Sequence, residues 1–180
     1  ARDDRDDRKR QAPALDATDV DTMRARAGPI VELRGIEKRY NAVLANDAVD
    51  MTIHPGEVHA LVGENGTGKS TLMHVLSGLT APDSGEILLR GRRVQFGSPA
   101  DALKAGIGMV HQTPALVDEL TVAENLALGT SSNPYRATVA RAEEICRRHG
   151  ISLPFRRTAG SLADNTKEYV ALVALLLVPL

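Results

Sequence analysis

The chain has 180 residues, of which 43% are hydrophobic, enough to bury one moderate core. Its net charge is -1 at pH 7 and only 3% of its residues are aromatic, which argues against a nucleic-acid surface built on charge or base stacking. Cys146 is the single cysteine, so an internal disulfide is excluded and a reduced cytoplasmic thiol in a helix is expected.

The first 28 residues differ in character from the rest of the chain. They mix aspartates with arginines and carry few large apolar side chains, so they cannot offset the entropy of ordering. The charged start also gives no sign of a signal peptide. We therefore expect residues 1–28 to be a disordered charged tail and residues 29–180 to form the folded part.

Five short apolar segments in the folded part predict β-strands. The second alternates apolar and polar side chains strictly, as a half-buried strand does. The third is uniformly apolar, which suits a strand buried inside a sheet. The fourth follows a Pro-Asp-Ser-Gly turn. These segments are residues 30–33, 49–53, 58–62, 86–89 and 107–110.

Capping residues mark the helices. Ser98 followed by Pro99 predicts a helix start, and Gly106 can end that short helix. Thr121 and Glu124 form a capping box for a helix that stops near Gly129. A longer helix is predicted over residues 134–149, with Gly150 as its stop. We expect its inward residues to be Val139, Ala142 and Cys146.

A glycine-rich loop is the most informative stretch. Its residues read G-x-x-x-x-G-K-S between the apolar segment 58–62 and a predicted helix, in which Leu72, Leu76 and Leu79 share a face beside Val75. Its backbone N–H groups and the helix N-terminus suit a polyphosphate. A lysine here would reach the β- and γ-phosphates. The loop comprises Gly63, Glu64, Asn65, Gly66, Thr67, Gly68, Lys69, Ser70 and Thr71.

Together with three further segments, this loop indicates a protein family. The loop, residues 82–87, residues 106–112 and residues 120–125 together closely resemble the ATP-binding subunit of ABC transporters, within the group that imports simple sugars and nucleosides. The resemblance implies an α/β fold: a P-loop NTPase (RecA-like) core with an antiparallel β portion and the start of a helical subdomain, truncated. It covers roughly the first two thirds of one nucleotide-binding domain.

The resemblance also implies roles for individual residues. Tyr40 matches the aromatic residue that stacks on adenine, although as an isolated tyrosine it would be read as an edge residue covering the sheet. Ser70 would ligate Mg²⁺ and Thr71 could bond a further phosphate oxygen. Gln112 matches the glutamine that contacts Mg²⁺ and the attacking water. ATP and Mg²⁺ are therefore the implied cofactors.

The implied partners are integral-membrane permease subunits, a second ABC nucleotide-binding domain and, indirectly, a solute-binding protein, with no nucleic acid. Such a subunit would lie at the cytoplasmic face of a bacterial membrane and hydrolyse ATP there. Residues 113–120 would form the surface that contacts the permease, because the loop combines apolar residues with Asp118 and Glu119. From composition alone, an ordinary connecting loop fits about as well.

Two departures from the family are visible. Where its signature, Leu-Ser-Gly-Gly-Gln or Leu-Ser-Val-Gly-Glu, is expected, Leu162 is followed by Ala163, Asp164 and Asn165, which indicates a degenerate site. The strand that ends in the catalytic Asp-Glu pair (Walker B) would lie beyond Leu180, so we expect this chain not to turn over ATP alone. The apolar residues 169–180 are too few to span a bilayer and predict a buried helix end.

Two other classes of protein stay open. A P-loop kinase or GTPase shares the glycine loop, but a GTPase would need an Asn-Lys-x-Asp motif that the sequence lacks. A non-enzymatic product, which binds nucleotide poorly or only pairs with a partner, fits the missing carboxylates. The five histidines show no metal-ligand spacing, so we expect them to be structural or solvated.

Overall fold

A computed structural model describes residues 28–128 and 134–178 and divides into two compact units. In the described residues, the first unit comprises residues 28–75 and 81–95, and the second comprises residues 76–80, 96–128 and 134–178. The predicted disordered tail lies outside the described residues apart from Gly28, so it stays a prediction. Gly129, the predicted helix stop, also lies outside them.

The first unit is built on a four-stranded antiparallel sheet in the order β2-β1-β3-β4. Register places Leu33 of β1 opposite Met51 of β2 on one side and Ile87 of β3 on the other, and all three side chains are buried. Alternation of buried and exposed positions along these strands creates that common apolar layer. The strands are β1 (Val31–Tyr40), β2 (Val43–Ile53), β3 (Ser84–Leu89) and β4 (Arg92–Val94).

Three of the five predicted strands are confirmed. The segments predicted at 30–33, 49–53 and 86–89 correspond to parts of β1, β2 and β3. β1 and β2 extend much further than predicted, because the chain turns back at Asn41, which adopts a left-handed φ of 51°, and lets their polar residues pair as well. Pairing within a hairpin therefore recruits residues that carry no apolar signal.

The predicted buried strands at 58–62 and 107–110 are wrong for this structure. Both segments lack regular secondary structure, and Val58 and Val62 are 98% and 88% exposed. An apolar segment becomes a strand only when its N–H and C=O groups find a partner. No described segment pairs with either. The apolar residues Val58, Leu61, Val62 and Val110 are exposed, whereas Ile107 and Met109 are partly buried.

One helix follows the glycine loop. Helix α1 (Lys69–Leu76) buries Leu72 and Val75, as the sequence predicts. Leu76 is only partly buried, and Leu79 lies beyond the helix and is 52% exposed. The predicted apolar face is therefore longer than the helix itself. The helix ends before Gly78, which takes a φ of 71° and turns the chain.

The second unit is helical. Its helices are α2 (Pro99–Lys104), α3 (Val122–Leu128), α4 (Tyr135–His149) and α5 (Asp164–Leu177), with a 3-10 turn at Ala159–Ser161. Helices α3, α4 and α5 enclose one apolar core, in which Leu126, Ala142 and Val173 are at most 1% exposed. No helix in the described part of the chain is both long and apolar enough to cross a membrane.

The predicted caps at Ser98 and Gly150 are confirmed. Ser98 Oγ accepts a hydrogen bond from the Asp101 N–H at 3.3 Å, and Pro99 is the first residue of α2. Gly150 ends α4 in a left-handed conformation with a φ of 66°. Inside α4, Ala142 and Cys146 are buried as predicted, but Thr138 takes the third buried position and Val139 is only partly buried. Burial raises the pKa of the Cys146 thiol, with a smaller contribution from Glu143.

Candidate nucleotide-binding site

The glycine loop lies where the sequence places it, between the apolar segment 58–62 and the first turn of α1. Residues 63–67 are exposed. Gly66 and Gly68 both adopt a φ of 85°, a left-handed conformation that glycine reaches without strain. These two residues let the backbone curl into a loop immediately before the helix.

The Lys69 side chain folds back over this loop. Its Nζ donates to Gly63 O at 2.8 Å and to Glu64 O at 2.5 Å, and it lies 3.3 Å from Thr67 Oγ1. Thr67 Oγ1 in turn donates to Glu64 O at 2.9 Å. The loop carbonyls therefore hold the Lys69 ammonium group beside a loop that is open to solvent. A cation in this place can form a charge-assisted hydrogen bond to an anion.

Strand β2 supports the end of the loop. Asn46, only 5% exposed, donates from Nδ2 to Gly68 O at 3.2 Å. A Cβ atom added to Gly68 would come within 2.0 Å of Ala45 O, so the loop backbone lies directly against the strand. Gly66, in contrast, has no atom within 4 Å of such a Cβ. The loop is thus anchored at its helical end and free at its tip.

The N-terminus of α1 is open to a ligand. Its first turn contains no acidic residue, so no side chain there neutralises the positive end of the helix dipole. Ser70 is exposed and Thr71 is partly buried. Unpaired N–H groups, the dipole and the Lys69 ammonium converge on one exposed place, the arrangement that binds phosphate groups.

Tyr40 lies in the same unit as the loop. It ends β1 and is 45% exposed, and the Lys38 Nζ lies 5.6 Å from the centre of its ring. Lys38 pairs in register with Asn46, the residue that bonds the glycine loop. Tyr40 is two residues from Lys38, about 7 Å further along β1. Asp83 accepts bonds from Lys38 Nζ at 2.8 Å and the Arg39 N–H at 2.7 Å, and these two bonds lower the pKa of its carboxyl.

Gln112 belongs to the second unit. It is exposed, in a bend that follows the apolar segment 107–110, and His111 beside it is exposed as well. The structure therefore brings Tyr40 and the glycine loop into one unit and describes Gln112 in the other. Among the described residues, no group of three or more His, Cys, Asp or Glu side chains could hold a metal ion.

The residues at the expected signature position form the start of α5. Leu162 is buried, Ala163 is the N-cap and makes no side-chain capping bond, and Asp164 is the first helical residue. Ser161 is not part of the motif alignment given above. It is exposed, and its Oγ donates to Thr158 O at 2.8 Å. Ser161 places a hydroxyl just before α5. In the sequence, only its position near the expected helix start could have indicated that it belongs to this region.

The loop of residues 113–120 is held from inside the second unit. The Val117 N–H donates to Asn125 Oδ1 at 2.8 Å, and Asn125 Nδ2 donates back to Val117 O at 3.0 Å. Leu116 packs against the helical core, whereas Val117 is 44% exposed. Asp118 forms an ion pair with Lys167 at 3.4 Å. Of Leu116 and Val117, Val117 is therefore the side chain that is exposed to a partner.

An exposed glycine loop that is closed by a lysine and leads into an open helix N-terminus defines the chain as a P-loop protein. Comparison with known proteins then gives the family: the sequence profile of the ABC transporter family matches residues 46–179. The chain belongs to the ABC transporter family.

Individual relatives agree with this assignment. The chain is 44% identical over 147 residues to the ribose import ATP-binding protein RbsA 1 of Rubrobacter xylanophilus, covering 79% of this chain and 30% of that protein. It is 45% identical over 144 residues to the guanosine import ATP-binding protein NupO of Bacillus subtilis, covering 77% and 28%. The chain thus spans less than a third of the length of these curated relatives.

The fold is shared with solved ABC proteins. The structure of cbiO1 from Clostridium perfringens, part of the ABC transporter complex cbiONQ, matches with a TM-score of 0.71 at 27% identity. The match covers 83% of this chain and 61% of that one. The predicted fold class, a P-loop core with an antiparallel β portion and helices, is confirmed at this level.

Proposed function

We propose that this chain is the ATP-binding part of an ABC importer for simple sugars or nucleosides. The observation that carries the proposal is the exposed loop in which Lys69 Nζ bonds Gly63 O and Glu64 O beside the open N-terminus of α1. Residues 63–71 would bind the phosphates through backbone N–H groups, with Lys69 on the β- and γ-phosphates. Relatives named for ribose and guanosine import support the solute class.

The other site residues have roles under this proposal. Tyr40 would stack on adenine, since its ring is exposed at the end of the strand next to β2. The exposed Ser70 hydroxyl would supply one oxygen ligand to Mg²⁺ and Gln112 another, in keeping with the oxygen ligands that Mg²⁺ prefers. Bound Mg²⁺ would neutralise charge on the phosphates. Together with the catalytic Asp-Glu pair that the resemblance implies, these groups would let the complete protein hydrolyse ATP.

The proposal extends to partners and place. ABC importers join two nucleotide-binding domains to integral-membrane permease subunits and receive solute from a binding protein. The chain would act at the cytoplasmic face of a bacterial membrane, and the relative that forms part of a transporter complex supports such an assembly.

The signature region also admits a second alignment. With Ser161 at the serine of Leu-Ser-Val-Gly-Glu, Leu162 takes the place of valine, Ala163 that of glycine and Asp164 that of glutamate. The serine is then present, the apolar, small and acidic positions keep their character, and the helix begins at the acidic residue. On this alignment the site is conservative rather than degenerate.

The experiment that tests ATP binding is a titration with a fluorescent ATP analogue. Lys69→Ala should weaken binding by about 10- to 150-fold, because it removes a charge-assisted contact of about 1.5–3 kcal/mol. Lys104→Ala is the matched control, since Lys104 is exposed in the last turn of α2 and its loss should leave affinity unchanged. Equal curves for wild type and Lys69→Ala would refute the proposal.

Contact with the permease is tested separately. Leu116 packs against the core, so Leu116→Asp would place a charge against apolar side chains and destabilise the second unit, which would confuse a docking test. Val117→Asp is the sharper change, because that side chain is exposed while its backbone is fixed by Asn125. In the complete transporter it should leave ATP binding intact and abolish co-purification with the permease. A complex that survives Val117→Asp places the coupling surface elsewhere.

A further inference from the structure

Asn46 is a buried polar side chain that joins β2 to the phosphate loop. Its Nδ2 donates to Gly68 O, which also accepts the Leu72 N–H at 2.9 Å, the first hydrogen bond of α1. Because a carbonyl oxygen can only accept, the amide group of Asn46 must present its nitrogen to Gly68. Two donors from different directions thus hold a single loop carbonyl.

These two bonds together fix where the next N–H group points. In a planar trans peptide the C=O of one residue and the N–H of the following residue lie on opposite sides. Gly68 O faces Asn46 in β2, so the Lys69 N–H faces away from the strand, toward the exposed side of the loop. That N–H is among the first of α1 and has no partner within the helix.

The contact leaves little freedom for this peptide. A Cβ on Gly68 would lie 2.0 Å from Ala45 O and 2.9 Å from Asn46 Nδ2, so strand and loop already touch. Rotation of the Gly68–Lys69 peptide would break the Asn46 bond and push a carbonyl toward the place where an anion would lie.

Packing alone does not explain the asparagine. Asn46 Oδ1 is buried and has no hydrogen-bond partner in the part of the chain that the structure describes. A buried acceptor without a partner costs free energy that an apolar side chain of similar size would avoid. The useful part of the side chain is therefore its donor, which acts on the loop.

We propose that Asn46 is a positioning residue for phosphate binding: it fixes the Gly68–Lys69 peptide so that the Lys69 N–H faces the polyphosphate. This inference rests on the proposed function, ATP binding by the loop, and adds a residue that lies 22 positions before Gly68 and outside the glycine motif.

Affinity is the first readout. Asn46→Ala should weaken binding of ATP and of inorganic tripolyphosphate alike, by about 2- to 12-fold, the range expected for one net hydrogen bond. Tyr40→Ala should weaken ATP only, because tripolyphosphate carries no base. Asp47→Ala, at the exposed neighbouring position of β2, is the control and should change neither. If Asn46→Ala does not fold, Asn46→Ser, too short to reach Gly68, should show the same loss.

A spectroscopic readout separates positioning from general destabilisation. A chain labelled with ¹⁵N-lysine gives few backbone amide signals, and Lys69→Arg identifies the one that matters. Saturating tripolyphosphate should shift the Lys69 amide proton downfield in wild type and by less than half as much in Asn46→Ala. The Lys104 and Lys167 signals should be unaffected by the variant, whereas Lys38, which faces Asn46 across the strand pair, is not used as a reference. The labelled residues are Lys9, Lys38, Lys69, Lys104 and Lys167.

The outcomes separate the two proposals. An equal Lys69 shift and equal affinity in wild type and Asn46→Ala overturn the role of Asn46, while ATP binding by the loop stands. A Lys69 signal that no phosphate ligand moves in wild type, together with unchanged affinity in Lys69→Ala, overturns the proposed function and the role of Asn46 with it.

Discussion

The N-termini of α1 and α3 meet the same electrostatic requirement in opposite ways. At α3, Glu124 Oε2 accepts from the Thr121 N–H at 2.7 Å and from Thr121 Oγ1 at 2.6 Å, and the Glu124 N–H donates to Thr121 Oγ1 at 3.2 Å. The chain thus supplies its own anion. At α1 the first turn has no acidic residue and begins with Lys69. A helix start is available to a ligand only where the sequence leaves it uncapped.

The start of α5 lies between these two cases. Ala163 makes no side-chain capping bond, as in a helix left open, but Asp164 brings a carboxylate into the first turn, as in a helix that is closed. It has neither the glycine loop nor the lysine that accompany α1. An uncapped N-terminus therefore does not by itself make an anion site; the backbone before it must curl and a cation must be present.

Close approach of the α1 loop to β2 gives the largest expected effect. Gly68→Ala should abolish nucleotide binding and destabilise the first unit by about 3 kcal/mol or more, because the new Cβ would meet Ala45 O in a left-handed conformation. Gly66→Ala is the matched control: it has the same φ of 85° but open space, so it should cost only about 1–2 kcal/mol of backbone strain. Urea unfolding and ATP titration measure both. Equal losses in the two variants would show that the contact with β2 is unimportant.

A smaller effect is expected where α5 lacks a cap. Ala163→Ser should raise the free energy of unfolding by about 1 kcal/mol, because Ala163 is exposed, has the extended backbone of an N-cap and lacks a side-chain acceptor. The serine Oγ would accept from the Asn165 N–H, because the Thr166 N–H already donates to Ala163 O at 2.9 Å. Ser161→Ala provides the comparison, since Ser161 lies outside the cap position and its loss should not lower stability by a comparable amount. Urea unfolding at constant pH decides; no gain from Ala163→Ser would mean that Asp164 already satisfies this helix start.

Sequence reasoning succeeded where the chemistry is local. The glycine loop, the Ser98 cap and the Thr121–Glu124 box each depend on residues three to six positions apart, and the structure has all of them. Prediction from the sequence failed for residues 58–62 and 107–110, because an apolar segment does not show which strand, if any, will pair with it. Asn46 gave no signal either, because its partner Gly68 is distant in the sequence and the two meet only through the fold.

The smallest predicted effect is a pH dependence at the capped start of α3. Hydrogen bonds from the Thr121 hydroxyl, and then from the Thr121 N–H, lower the pKa of the Glu124 carboxyl. A lowered pKa means that the folded chain binds this proton less readily than the unfolded chain, so the ionised carboxylate stabilises the fold. That contribution is complete above the unfolded pKa of about 4.3 and is lost as pH falls through the lower pKa of the folded state.

Glu124→Gln keeps the shape of the capping box but cannot ionise. The difference in unfolding free energy between wild type and Glu124→Gln should therefore be largest near neutral pH and shrink toward pH 3. In a Thr121→Ala background the same substitution should give a flatter profile, because the main cause of the pKa shift is gone. A difference that stays constant from pH 7 to pH 3 would show that the carboxylate charge contributes nothing at this helix start, and the contrast with α1 would then rest on the loop and its lysine alone.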